Sequence, residues 1–334
     1  MADSFYPVEQ VDLDVAAIYA DFLPKTIFDV HTHMYQRTAI PSFHGADRPF
    51  VRTAASTQTY ELDMHPFLPG VTSICLNMMP MPDPVMSEPS NNLREEANDN
   101  IVRLIHENTG HVGCAYVLAS DSEEQIAELI GNGDLRGIKC YSYGAGKEET
   151  ESLAVGDYLP ETAWIVANQF RLPIILHLFR PLGLSDPDNL SYVMTMSHRY
   201  PNAQLILAHC ARGFAAWTSV KAIRTLVDCG NIWFDLSAIC ESGPMVACIM
   251  KNAGERTMWG SDYPICMTRG RAVSLATGQN WLTELRVPKT RVVAENLLAF
   301  YQAALLLELD QTQLDDLFCN NARRLFEHSV GIMK

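Results

Sequence analysis

The chain has 334 residues, 48% hydrophobic and 19% charged, ample material for a buried core, which excludes a disordered chain, a collagen-like fibre and a disulfide-stapled miniprotein. Length leaves two average domains or one α/β barrel. Twenty-five Lys and Arg against thirty-nine Asp and Glu give a net charge of −14, a field that repels nucleic acid and anionic membranes. A small anionic substrate remains allowed, because a metal ion or a few arginines reverse the sign inside one pocket.

The first 25 residues are acidic and polar and lack the basic start and apolar core of a secretory signal. No run of eighteen apolar residues occurs, so no membrane span is expected. The nine cysteines are scattered without a CxxC pair, which predicts reduced thiols in a cytoplasmic protein.

Short apolar runs alternate with stretches of helical period along the chain, the pattern of βα units around a parallel sheet. Strands are expected near 27–30, 73–76, 113–118, 137–141, 173–177, 204–208, 232–236 and 257–259, with helices at 91–107, 122–130, 159–170, 188–199, 214–229 and 244–252. Asp121 with Glu124 reads as a capping box, and Asp188 as a helix N-cap. Eight alternations predict a closed (β/α)8 TIM barrel over about residues 26–288, within a single domain spanning 1–334. Residues 34–69 form an insertion after the first strand, too long for an ordinary βα loop and expected to act as a lid or pocket wall. The remainder, 289–328, has helical periodicity and is expected to pack on the outside or bottom of the barrel.

The strongest chemical signal is Asp29-Val30-His31-Thr32-His33 at the end of an apolar run. Residues two apart on a strand point to one side, so His31 and His33 can offer both imidazoles to one ion, as suits zinc. By itself the pair reads equally as two hydrogen-bonded histidines. His177, His209 and Asp262 also terminate apolar runs, and in a barrel all such strand ends open on one face. Three histidines and a carboxylate there satisfy a four-coordinate ion, or leave one position for water if His209 does other work.

These motifs, together with Gly137-Ile138-Lys139, Trp259-Gly260-Ser261-Asp262-Tyr263-Pro264 and the closing Asn321-Ala322-Arg323-Arg324-Leu325-Phe326, resemble the amidohydrolase superfamily, and most of all its amidohydrolase-related (amidohydrolase 2) branch. The resemblance runs from about residue 26 to 328. It implies a metal-dependent hydrolase, lactonase or nonoxidative decarboxylase, with His31, His33, His177 and Asp262 as ligands and His209 beside the ion as a catalytic or additional ligand. Some branches carboxylate a lysine on strand four to bridge two metals, so Lys139 and His209 are candidate second-metal ligands; one Zn2+ is the leading expectation, with Mn2+ and a binuclear centre behind it. Two departures stand out. Tyr263-Pro264 is followed by Ile265 where decarboxylase members commonly carry His, and Cys210-Ala211-Arg212-Gly213 follows His209 where glycines are frequent.

Arg180 and Arg212, each three residues beyond a strand-end histidine, are candidate carboxylate forks, although a surface ion pair explains either equally well. Tyr141 is a further candidate substrate contact. The leading expectation is a hydrolase in which metal-bound water, its pKa lowered from about 15.7 toward 7, attacks a small carboxylated or cyclic substrate (lactone, amide or ester) with Asp262 and His209 as catalytic groups. The alternative is nonoxidative decarboxylation of an aromatic or unsaturated acid; a non-catalytic metal-binding barrel is a second alternative. Self-association into a homo-oligomer is also expected of such barrels.

Overall fold

The computed structural model describes residues 5–39, 54–81, 92–145, 152–226, 228–276, 278–283 and 287–327. Its parallel strands are β1 (Thr26–Met34), β2 (Ser73–Pro80), β3 (Val112–Gly113), β4 (Ala115–Tyr116), β5 (Ile138–Cys140), β6 (Pro173–Leu176), β7 (Gln204–Leu207), β8 (Ile232–Asp235) and β9 (Thr257–Met258). They pair in the order β1-β2-β3 and β4-β5-β6-β7-β8-β9. β3 and β4 are one barrel strand interrupted at Cys114, whose N–H donates to Met78 O at 2.9 Å, while Ala115 N donates to Gly137 O at 2.9 Å. The interruption accounts for the split into two sheets.

The ring closes between β9 and β1. Val30 N donates to Trp259 O (3.3 Å), Asp262 N to His31 O (2.8 Å) and His33 N to Tyr263 O (2.7 Å). The eight-stranded (β/α)8 TIM barrel is thus present, with each expected strand within a few residues of its position. The expected helices form at Leu93–Glu107, Glu123–Gly133, Glu161–Phe170, Pro187–Arg199, Ala216–Thr225 and Ser242–Lys251. Two caps shift. Ser122, not Asp121, caps Glu123–Gly133 through Gln125 N, and Asp186, not Asp188, caps Pro187–Arg199, because its carboxylate reaches Asp188 N and Asn189 N.

Inside the barrel, Phe28, Val30, Ile175, Ile206 and Met258 pack with Ala322, Leu325 and Phe326 of the tail; the Phe28 and Phe326 rings stack at 5.5 Å. Helix Asn321–Glu327 therefore plugs the barrel bottom. Helix Val292–Leu307 is pinned to the opposite rim, where Asn296 bonds Leu236 O, Ile239 O and Trp259 Nε1. An antiparallel hairpin, β10 (Arg271–Leu275) with β11 (Gly278–Leu282), and the N-terminal helix Gln10–Tyr19 add to the expected plan.

Only part of the insertion is described, and that part supports the barrel. Residues 40–53 lie outside the described region, but helix Thr57–Met64 is a buttress under the closing seam: Tyr60 donates to Asp29 Oδ2 at 2.8 Å, and Tyr263 Oη bonds Asp63 at 2.8 Å. The buried tyrosines on this short helix and on the last turn require such phenol partners, which draws the segment inward.

Asp29 is fully buried; its Oδ1 accepts from His31 N (3.1 Å) and Ser261 N (2.8 Å). Burial pushes its carboxyl up to about 7 despite these bonds. The folded state therefore holds this proton over a range, from the ordinary carboxylate value of about 4 to about 7, in which the unfolded chain has lost it, and Asp29 makes stability fall as pH rises through that window. In the metal-free protein, Asp29→Asn, which keeps the acceptor for both N–H groups, is expected to flatten the decline in urea midpoint between about pH 4 and about pH 7. Parallel pH profiles of the two proteins would count against this assignment.

Candidate metal centre

The strand-end histidines owe their direction to a break in β1. Phe28 and Val30 face the barrel interior, whereas His31 and His33, of opposite parity, face the cavity above it. The β1–β2 register shifts between Asp29 and Thr32, and such a bulge reverses which residues point inward. Gly260 is required beside it, since a Cβ there would lie 2.9 Å from His31 Cβ and 3.1 Å from Asp235 Oδ1.

Three side chains converge. His31 Nε2 and His33 Nε2 lie 3.5 and 3.3 Å from Asp262 Oδ1, and ligand atoms of the trio all fall within 4.8 Å of one another. All three residues are buried. The donor set fits a borderline divalent ion, because the remaining ring nitrogens are engaged elsewhere. His31 Nδ1 makes a short hydrogen bond to Asp235 Oδ2, and His33 Nδ1 faces Pro80 O at 3.3 Å. Each bond fixes a tautomer with a lone pair at Nε2. Burial first, then the neighbouring Lys139, holds His31 well below the ordinary histidine range. Burial also opposes ionisation of Asp262, but the His33 hydrogen bond and the adjacent imidazoles outweigh it and keep the carboxyl below its usual value. Neutral imidazoles and an ionised carboxylate are the protonation states a metal needs.

Asp235 escaped the sequence reading. It ends the apolar run Ile232–Asp235, the same feature that singled out His177, His209 and Asp262. With His31 and His209 it makes a second compact trio, and burial raises its carboxyl above the ordinary range.

His177 and His209 stand one ring further across. His209 Nε2 is 3.1 Å from His177 Nδ1; His209 Nδ1 meets Ser237 O at 3.1 Å and Oγ at 2.9 Å, while His177 Nε2 faces Arg212 Nη1 at 3.4 Å. His177 thus lines the cavity but is not within the compact trio of His31, His33 and Asp262. Burial, foremost, depresses both imidazoles, leaving neutral rings. A consistent proton order runs from Arg212 through His177 and His209 to the Ser237 carbonyl. A left-handed turn sets this geometry: His209, Cys210, Ala211 and Arg212 have φ of 55, 51, 58 and 62°. None is glycine, and each such residue costs about 1–2 kcal/mol.

The anion-binding candidates divide. Arg180 is directed away, to Asp186 (2.9 Å) and Asp188 (2.8 Å), and so does not serve as the expected carboxylate fork. Two carboxylates supplied by the next helix start outcompete the cavity for it. Arg212 stays close, donating to Leu178 O at 3.0 Å. Tyr141 lines the cavity, its hydroxyl donating to Pro80 O (2.8 Å) and lying 3.2 Å from His33 Nδ1. Lys139 is completely buried; its Nζ lies 5.1 Å from the Tyr141 ring centroid and has no hydrogen-bond partner among the described residues. Burial lowers its ammonium to about 8.

The cavity measures about 180 Å3, with Met81, Tyr143, Phe179 and Ile265 completing its walls. A larger hollow of about 440 Å3 opens at the other barrel end, between Pro24–Thr26 and the tail. It gathers no comparable ligand group, so convergence of donors and not volume marks the site.

Fold and side chains together define a TIM barrel carrying a metal-type ligand group at the C-terminal ends of its strands. The chain belongs to the amidohydrolase family: the Amidohydro_2 family model, described as amidohydrolase, matches residues 28–327, and this family holds metal-dependent enzymes. No curated protein matches by sequence. Among solved structures, the 5-carboxyvanillate decarboxylase of Sphingomonas paucimobilis is 13% identical with a TM-score of 0.59, over 91% of this chain and 99% of that one. The 5-carboxyvanillate decarboxylase of Novosphingobium aromaticivorans, crystallised as a mutant with manganese and 3-methoxy-4-hydroxy-5-nitrobenzoic acid, is 12% identical with a TM-score of 0.60, over 91% and 97%. A Pseudomonas putida protein described as a candidate 2-pyrone-4,6-dicarboxylic acid hydrolase is 15% identical with a TM-score of 0.55, over 92% and 99%. At these identities the likeness is one of fold. No helix among the described residues is long and apolar enough to cross a membrane.

Asp235→Asn, which removes the acceptor that fixes the His31 tautomer, is expected to weaken binding of a divalent ion about 10- to 100-fold with the circular dichroism spectrum retained. Calorimetric titration of the metal-free protein with Mn2+ or Zn2+ measures this; unchanged affinity would remove Asp235 from the metal's support.

Proposed function

We propose that the protein is a metal-dependent nonoxidative decarboxylase of a small aromatic or unsaturated carboxylic acid. The observation that carries the reading is the division of the cavity: the floor is a cluster of histidines and a carboxylate, and the walls are Met81, Tyr141, Tyr143, Phe179 and Ile265. An aromatic acid has the same division, a flat apolar ring with an anionic edge. The volume of about 180 Å3 lies below the range of drug-sized pockets, about 300–1,000 Å3, and matches a single ring. Several fold neighbours are aromatic acid decarboxylases, so the balance moves from hydrolysis, the leading expectation from sequence, to decarboxylation.

His31, His33 and Asp262 would hold one divalent ion, joined by His177 where its ring gives up the His209 or Arg212 contact; the donor set accepts zinc or manganese, and manganese is the ion in two of the neighbours. When bound, the ion supplies a Lewis acid that neutralises the charge of the acid's oxygens. The apolar walls orient the ring and exclude water. The bond between the ring carbon and the carboxylate breaks, carbon dioxide leaves, and the electron pair remains on the ring carbon, which takes up one proton. His209 is assigned that proton transfer: its neutral ring would take a proton from solvent at Nε2, in exchange for the His177 contact, and pass it to the ring carbon, ending neutral again, while Arg212 keeps the His177 ring in place. Hydrolysis is the second reading. It is favoured by the Pseudomonas putida neighbour and by the position of Asp262 on the cavity floor, where its carboxylate would take the proton of a metal-activated water.

Protein reconstituted with Mn2+ or Zn2+ is expected to release carbon dioxide from hydroxybenzoates or 5-carboxyvanillate and to leave 2-pyrone-4,6-dicarboxylate intact, as followed by proton NMR. Lactone opening without carbon dioxide release would overturn the reading in favour of hydrolysis. His177→Ala should lose most of the bound metal in elemental analysis, whereas His209→Ala should keep it and lose about 10²- to 10⁴-fold in kcat. Two equivalents of metal per chain, reduced to one in Lys139→Ala, would instead indicate a lysine-bridged binuclear centre.

A further inference from the structure

Lys139 has no role in the scheme above, and its surroundings call for one. It sits in the middle of β5, paired with Tyr116 on one side and Ile175 on the other, so its side chain enters the barrel where the cavity floor begins. The residue is fully buried, and Nζ has no hydrogen-bond partner among the described residues. An ammonium carries three donors, and leaving them unmade in a low-dielectric interior is among the most unfavourable arrangements a fold can hold.

The neighbouring acceptors are already engaged. Asp235 gives one oxygen to His31 Nδ1 and the other to Ser237 N at 2.6 Å. Asp262 Oδ1 lies against His31 and His33. Nζ also lies 5.1 Å from the centroid of the Tyr141 ring, whose face attracts a cation but accepts no conventional hydrogen bond. The other cations near the cavity differ: Arg212 donates to Leu178 O, and Arg180 is bound to Asp186 and Asp188.

We propose that Lys139 is the anion anchor of the site, its ammonium donating to an acidic oxygen of the bound ligand, so that the cavity selects carboxylates over neutral rings of the same shape. The inference rests on the decarboxylase reading for its ligand class, yet it concerns binding and not turnover. The ligand's oxygen satisfies donors that the protein leaves unsatisfied. A charge-assisted bond of this kind, formed in a dry cavity, separates an anion from its neutral isostere by about ten- to a hundredfold in Kd.

The test uses metal-reconstituted wild type and Lys139→Met, which keeps length and apolar volume but has no charge. Two probes are titrated calorimetrically: 2-hydroxybenzoate and its neutral isostere 2-hydroxybenzyl alcohol. Wild type is expected to prefer the acid over the alcohol by at least about tenfold more than Lys139→Met does, the variant keeping only the preference that the metal confers, with the alcohol's affinity and the metal content unchanged. Equal discrimination in the two proteins overturns the proposal. So does failure of the wild type to prefer the acid, and so does loss of metal in Lys139→Met, which would make the lysine part of the metal's support. A variant that loses the discrimination while wild type releases no carbon dioxide from any aromatic acid would leave the anchor standing and sink the decarboxylase reading alone.

Discussion

The structure depends on one seam, where the last barrel strand meets the first. Asp29 sits at its centre with three donors converging on its carboxylate: His31 N, Ser261 N and the Tyr60 hydroxyl. A carboxyl in so apolar a place is disfavoured as an anion, and only this set of hydrogen bonds makes it tolerable. The same few residues hold the bulge that turns His31 and His33 toward the cavity and the backbone bond from Asp262 N to His31 O. Barrel closure and the relative position of three candidate ligands are therefore one structural event, and the site inherits the rigidity of the strands.

Beside the seam the protein keeps strain as well. Four consecutive left-handed residues, His209 to Arg212, follow β7, and Asp262 itself has φ of 67°. Left-handed backbone at residues with side chains persists where surroundings over-determine it. Here Gly213 N donates back to His209 O at 2.6 Å, Ser237 takes the His209 ring, and Cys210 and Ala211 are wholly buried. Where glycines would leave the turn loose, the side chains of Cys210, Ala211 and Arg212 anchor it and bring a guanidinium to His177.

Much of this was legible in the sequence, for identifiable reasons. Apolar runs ending in a polar residue located seven of the eight strands closely, because a parallel barrel buries both faces of each strand and its chemistry collects at the ends. The third strand was harder: its kink at Cys114 depends on hydrogen bonds to Met78 and across to Gly137, which no local pattern reports. The His-x-His pair and Asp262 followed from spacing. Asp235 obeyed the same rule and was passed over, since a carboxylate among Trp233, Phe234 and Leu236 carries no motif. Arg180 could not be told from Arg212 by sequence, as both stand three residues past a strand-end histidine; only the helix start at Asp186 and Asp188 separates them. In the insertion after β1, the described helix was not legible from length alone, because the phenols of Tyr60 and Tyr263 needed buried partners and pulled it under the seam.

Charge balance connects these features to the proposed chemistry. Asp29, Asp235 and Asp262 are all buried in one region, with fully buried Lys139 as the cationic neighbour of Asp235 and Asp262. Burial leaves His31, His177 and His209 neutral, so three carboxyl groups face one ammonium, an excess the interior does not tolerate without compensation. Partial protonation of Asp29, whose carboxyl is pushed up to about 7, relieves part of it. A divalent ion bound beside Asp262 would relieve the rest and then overshoot, leaving the floor positive toward the cavity. In a protein of net charge −14, such a floor is a local reversal of the global field, and it attracts one small anion while the surface turns larger polyanions away.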